Sequence, residues 1–129
     1  MFKKLNKKGF TLAELLIVVA IIGVLVAISI PILTSQLQKA RLATNQANAR
    51  AAKAAAVAAY LEDDTVTGGT YDIDAGTFTS GTPATGTVTV KTDPSTWTVT
   101  DNADLAKSVY KDSIGVTLSS GSVTQYDFK

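Results

Sequence analysis

The chain has 129 residues, 46% of them apolar, a formal net charge of +1, and neither cysteine nor histidine. Without cysteine there is no disulfide and no thiol chemistry. Without histidine the commonest general base and transition-metal ligand are missing and a Ser-His-Asp arrangement is excluded. No catalytic residue, metal site or cofactor is therefore expected, and an enzyme is the remotest class.

The chain opens on a lysine-rich stretch, Lys3, Lys4, Lys7 and Lys8, followed by Gly9-Phe10-Thr11-Leu12-Ala13-Glu14-Leu15. From 15 to 33 only Gly23, Ser29 and Pro31 interrupt the apolar run. A helix over 10–33 extends about 36 Å at about 1.5 Å per residue, enough to cross a hydrocarbon core of about 30 Å. Glu14 is out of place there, because an ionisable group inside such a helix costs roughly 2.5–3.5 kcal/mol and marks a functional position. It lies four residues after Phe10, on one helix face, and in a first turn where the helix dipole favours a carboxylate. Basic residues ahead of the span orient it with the N-terminus cytoplasmic and the C-terminus exported.

Gly-Phe-Thr-Leu-x-Glu after a short basic leader, then about twenty apolar residues with a proline near their end, resembles the N-terminus of type IV pilin precursors and of the related pseudopilins of type II secretion and DNA uptake. The resemblance covers roughly residues 7–37. It implies that a prepilin peptidase cuts between Gly9 and Phe10 and methylates the Phe10 amine. It also implies that Glu14, with Thr11 beside it, serves assembly by neutralising the Phe10 amine of a neighbouring copy. Many relatives carry Ile where this chain has Ala13, which touches no assigned role. The implied partners are further copies in a helical homopolymer, the peptidase, the membrane before assembly, and indirectly the assembly platform and its ATPase. The implied location is first the cytoplasmic membrane and then an extracellular filament.

Two other readings fit the leader: a secretory signal peptide cleaved near Ala27-Ile28-Ser29, and a signal anchor holding an extracellular binding domain. The first leaves Glu14 unexplained and makes the apolar run oddly long, and all three readings share the same topology. Pro31 removes a donor from the helix, so a bend or loosening is expected, with Gly23 adding to a weak segment that the pilin family uses as subunits leave the bilayer.

The helix is expected to continue to residue 61, because alanine is the strongest helix former and nothing between 32 and 61 breaks it. Residues 34–61 hold Lys39, Arg41, Arg50 and Lys53 and no acid, whereas the chain from Glu62 on holds ten acids against four lysines. The basic stretch lacks aromatic interleaving, so DNA is a possible but unsupported partner. Electrostatic matching between one copy's helix and its own or the next copy's head fits better. The expected organisation is 1–9 leader, 10–33 apolar helix, 34–61 exported alanine-rich helix and 62–129 β head.

After residue 61, Glu62-Asp63-Asp64 ends the helix and Gly68-Gly69 reads as a turn. Residues 71–85 read as a loop with one edge strand. Alternation over 87–92 and 96–100, with Asp93-Pro94-Ser95 between, predicts a pair of strands. Asp101 or Asn102 is placed to cap a short helix through Leu105, Val109 and Tyr110. Residues 115–119 and 123–128 form a hairpin around Ser120-Gly121. Trp97 is expected in the core, and Asp72 and Asp74 in a solvated loop rather than a calcium site. The fold class is α+β and pilin-like: a long N-terminal helix packed on a small antiparallel sheet that has little core of its own.

Overall fold

A computed structural model describes residues 9–129. Its first element, α1, is a single helix over Leu12–Glu62, 51 residues long. It runs helical through both Gly23 and Pro31, so the weak segment expected there is not a break in the helix. Ser29 Oγ donates to the Leu25 carbonyl at 2.7 Å and Thr34 Oγ1 to the Ile30 carbonyl at 3.0 Å, flanking Pro31 with side-chain bonds to the backbone. Such back-bonding softens a helix without ending it. The stop comes at Glu62: Asp63 Oδ1 accepts from the Thr65 N–H at 3.0 Å and its hydroxyl at 2.6 Å, which turns the chain away.

Two compact units are present, one ending at Gln36 and the other spanning Leu37–Lys129. In the first, sixteen large apolar side chains between residues 10 and 33 are exposed. The second contains a five-stranded antiparallel sheet. Its strands are β1 (Gly68–Asp72), β2 (Thr77–Ser80), β3 (Val88–Val90), β4 (Ser113–Ser119) and β5 (Ser122–Phe128), in spatial order β2-β1-β4-β5-β3. Between β3 and β4 lie a 3-10 turn at Pro94–Thr96 and a short helix, α2, at Ala103–Lys107.

The sheet register sets the core. Ile114 pairs with Phe128 and with Tyr71, Val116 with Tyr126, and Val88 and Val90 with Phe128 and Tyr126, so these side chains share one face. They form one cluster with Leu42, Ala49, Ala52 and Ala56 of α1. The opposite strand face carries Thr70, Gly115, Asp127 and Thr89 in a row, with Asp127 accepting from Thr89 and Gln125 side chains. Apart from Leu42, α1 gives this cluster only alanines, so its large side chains come from the sheet and its connections. Trp97, 5% exposed, stacks edge-on against Tyr126 and Phe128 with centroids 5.9 and 5.7 Å away, as its expected place in the core requires.

Three expectations for the head are corrected. Gly68-Gly69 is not a turn but the start of the interior strand β1, which pairs with β2 as a hairpin over 68–80; β2 is the one edge strand expected within 71–85. The glycines that read as a turn are there for close approach. A Cβ on Gly69 would sit 2.5 Å from the Phe78 ring, and one on Gly68 would sit 2.7 Å from the Val116 carbonyl oxygen. Residues 96–100 do not form a strand, and β3 pairs with β5 instead. The reason is local: Asp93 Oδ1 accepts from the Ser95 N–H at 2.9 Å, Pro94 opens a 3-10 turn, and Trp97 Nε1 donates back to Thr92. A reciprocal Thr98–Asp101 turn then leads into α2. Finally, α2 ends at Lys107, before Val109 and Tyr110, and Asn102 precedes it without a side-chain capping bond. The hairpin at Ser120-Gly121 forms as expected, both residues at positive φ.

With so little regular structure, residues 91–112 draw hydrogen bonds from α1. Asn45, fully buried, donates to the Leu105 and Ser108 carbonyls at 2.7 and 2.8 Å and accepts from the Tyr110 N–H at 3.1 Å. Gln46 donates to the Pro94 carbonyl at 2.7 Å, and Lys53 pairs with Asp93 at 2.6 Å. Asn45→Ala is expected to cost about 2–4 kcal/mol, because it leaves backbone groups without partners. Gln46→Ala, at a site nearer solvent, is expected to cost about 1 kcal/mol. Urea unfolding of the full chain in detergent measures both. A second prediction concerns Tyr126, whose hydroxyl is pushed up to about 12 by burial first and by the Asp93 carboxylate second. Its ordinary value is about 10, so the neutral phenol stabilises the fold fully below pH 10, and this contribution is lost as pH rises from 10 through 12. Tyr126→Phe keeps the ring and is expected to flatten the fall in melting temperature over that interval.

Candidate functional site

The sequence singles out the first turn of α1, and a specific local geometry is found there. Thr11 is the residue before the helix, and its carbonyl accepts the Leu15 N–H at 3.1 Å. Its hydroxyl accepts the Glu14 N–H at 3.1 Å, while the Glu14 carboxylate accepts the Thr11 N–H at 3.0 Å. This is a reciprocal capping box, which satisfies two of the N–H groups that every helix start leaves without partners. The pattern Thr-x-x-Glu is legible at 11–14, yet reading Glu14 only against Phe10, four residues before it, passes over the partner three residues before it.

The box has an electrostatic consequence. It turns the Glu14 carboxylate back toward the start of the helix, where the dipole is positive. Phe10 stands immediately before Thr11, outside the helix, with 82% of its surface exposed. Gly9 is likewise exposed and outside the helix, so the peptide bond joining it to Phe10 lies in non-helical chain. Lys3, Lys4, Lys7 and Lys8 lie outside the described residues. Gly23 and Pro31 lie within α1 rather than at the turn, and a Cβ on Gly23 would meet nothing within 4 Å.

Beyond the turn the site is a surface. The 18-residue window of α1 with the highest mean hydropathy, 3.1, has none of its residues buried within the chain. That length and composition suffice to cross a membrane. Val24 and Leu25, with Ala20 and Ile21, line a shallow and wholly apolar groove beside Gly23. Among the described residues no cluster of three or more metal-ligating side chains occurs. Asp72 instead accepts the Ala75 N–H at 2.9 Å and closes the β1–β2 turn.

A family model described as the prokaryotic N-terminal methylation motif matches residues 4–30. The chain carries the type IV pilin and pseudopilin leader signature. The matched residues take in Lys4, Lys7 and Lys8 of the leader, the Gly9–Phe10 bond, the capping box and most of the apolar helix. No solved structure matches the chain. The pilin-like α+β architecture is therefore seen in the fold itself, a long apolar N-terminal helix followed by packing on an antiparallel sheet.

Thr11→Ala removes one half of the box while leaving the Glu14 charge in place. It is expected to weaken the first turn by about 1 kcal/mol, with Thr11→Ser close to wild type. Hydrogen exchange at the amides of residues 12–15 in detergent reads this directly, as roughly five-fold faster exchange in the alanine variant.

Proposed function

We propose that this protein is the structural subunit of a type IV pilus: a membrane precursor cut after Gly9, methylated on Phe10 and polymerised into a surface filament. The observation that carries this reading is the apolar half of α1, whose side chains are bare in the isolated chain and which begins in a carboxylate-bearing cap. A helix of this kind has two stable environments, lipid and a bundle of its own copies. Passage between them is an assembly reaction in which nothing is catalysed.

Each site residue takes a role in that reaction. The lysines of the leader hold the N-terminus on the cytoplasmic side. The prepilin peptidase finds the Gly9–Phe10 bond in exposed, non-helical chain. Cleavage creates an amine on Phe10 one residue from the Thr11–Glu14 box, and the carboxylate accepts the amine of an incoming copy, so that two costly charges leave lipid as a pair. Thr11 keeps the carboxylate oriented while it waits. Gly23, Pro31 and the back-bonded Ser29 and Thr34 form the stretch that loosens when the helix leaves the bilayer and packs against others. The exported unit faces outward on the filament. An assembly platform and its ATPase supply the work of extraction, and adhesion, twitching motility and DNA uptake are the tasks such a filament serves. A pseudopilin of a short secretion or competence filament shares these N-terminal features and is distinguished by the absence of long fibres on the cell.

Mass spectrometry of sheared surface material is expected to yield an N-terminal peptide that starts at Phe10 and carries about 14 Da from one methyl group. A mature protein that begins at Met1, or after Ser29, overturns the reading. Glu14→Ala is expected to leave cleavage intact and to lower incorporation into filaments at least about ten-fold, the factor that roughly 1.4 kcal/mol of lost pairing produces.

A further inference from the structure

Around the circumference of the exported part of α1, one face holds the core residues Leu42, Asn45, Ala49, Ala52 and Ala56. The opposite face is exposed and almost featureless: Ala40, Ala43, Ala47, Ala51, Ala54 and Ala58. Along one edge of that bare face stand Lys39 and Arg50, both exposed. They are eleven residues apart, about three turns, and so lie in line along the helix about 16 Å from each other. Neither makes an ion pair or a side-chain hydrogen bond among the described residues, in contrast to Lys53, which is held by Asp93.

The complementary charge sits at the other end of the same helix. Glu62, Asp63 and Asp64 are all exposed, and the last turn of α1 contains no basic residue. Carboxylates at a helix C-terminus face the negative end of its dipole, an arrangement that is unfavourable unless cations come from elsewhere. Among the described residues none of the three makes an ion pair. Residues 39 and 50 lie about 36 and 20 Å from residue 63 along the helix, so the two sets cannot meet within one chain.

We infer that the alanine face and its basic edge are the docking surface for a second copy of this chain, whose Glu62–Asp64 turn lies against Lys39 and Arg50. The inference rests on the filament reading and specifies its register: parallel copies are offset along their helices by about 20–36 Å. Alanines let the neighbour approach closely, and the charges fix how far along it stops. Nothing in such a contact closes on itself, because each copy offers a basic edge below and an acidic turn above, so the contact repeats without end.

Charge reversal tests the register. Lys39→Glu with Arg50→Glu, in the full chain, is expected to lower the assembled fraction at least ten-fold, and adding Glu62→Lys and Asp64→Lys, which leaves the Asp63–Thr65 turn intact, is expected to restore at least half of wild-type yield. Unchanged yield in the first variant, or no restoration in the second when both precursors melt as wild type does, overturns the inference. A second measurement stands apart from folding defects, because the chain contains no cysteine. Leu61→Cys combined in turn with Ala47→Cys, Ala43→Cys and Ala40→Cys places two thiols about 21, 27 and 32 Å apart on one helix, stepping through the proposed offset, each far beyond the roughly 4.4–6.8 Å between Cα atoms that a disulfide spans. One of the three pairs is expected to match the neighbour. Oxidation of surface material is expected to give a ladder of covalent multimers. Filaments that assemble normally yet yield no ladder from any pair sink the register while leaving the filament reading intact. Wild-type cells with no polymer at all sink both. Normal assembly of the Lys39/Arg50 variant with weakened retention of duplex DNA overturns self-docking and assigns the edge to nucleic acid.

Discussion

Everything in this molecule depends on one helix that water cannot accommodate alone. Between residues 10 and 33, sixteen large apolar side chains lie exposed in the isolated chain. At about 25 cal/mol per Å² of apolar surface, leaving such a helix in water costs tens of kcal/mol, more than the roughly 5–15 kcal/mol that stabilises a folded domain. The cover has to come from outside the chain. Lipid and neighbouring copies are both apolar, so moving from one to the other changes the hydrophobic term little. Direction then falls to smaller polar terms, and the polar group at the start of the span is Glu14.

The capping box refines what Glu14 does. In its absence the carboxylate would pay desolvation against only a helix dipole and a solvent-facing rotamer. Bonded to the Thr11 N–H, it is partly satisfied within its own chain. On the proposed reading, such a partly satisfied charge is tolerated at the bilayer edge while an accepted amine still improves on that state. The same box fixes where the helix begins and leaves Phe10 outside it. In the proposed function one short motif would then serve helix nucleation, residence in the membrane and assembly.

How much of this was legible in the sequence depends on the range of the interactions. The apolar span, Glu14, the end of α1 near residue 61 and the last hairpin follow from local pattern, and the fold has them. The middle of the head does not follow in the same way. Gly68-Gly69 looks like a turn because glycine in isolation reads as freedom, but here it is room: Phe78 and Pro83 occupy the space a side chain would need. Residues 96–100 alternate as a strand should, yet Trp97 gains more from Tyr126 and Phe128 than from a sheet edge. Asn45 was hidden among alanines, and only the partners 60 to 65 residues away give it meaning. Thr11 was visible, but its bond to Glu14 competes in the reader's eye with the more familiar spacing of four.

The same distinction between local and distant partners bears on why the head is built as it is. Alanine on the core side of α1 buries little area per residue, so the connection between β3 and β4 is tied to the helix by polar clasps at Asn45, Gln46 and Lys53, and the sheet by aromatic packing. On the outer side the same small residues leave a smooth face on which a neighbour can slide, and a face that permits sliding needs something else to set the stop. Charges placed about three turns apart supply it without adding bulk. Each exposed ion pair is weak, on the order of 0.2–1 kcal/mol, and is screened by salt. Repeated at every contact of the proposed polymer, pairs of that strength would select one register among many that apolar contact alone would leave nearly equal, without making a single contact too strong to undo.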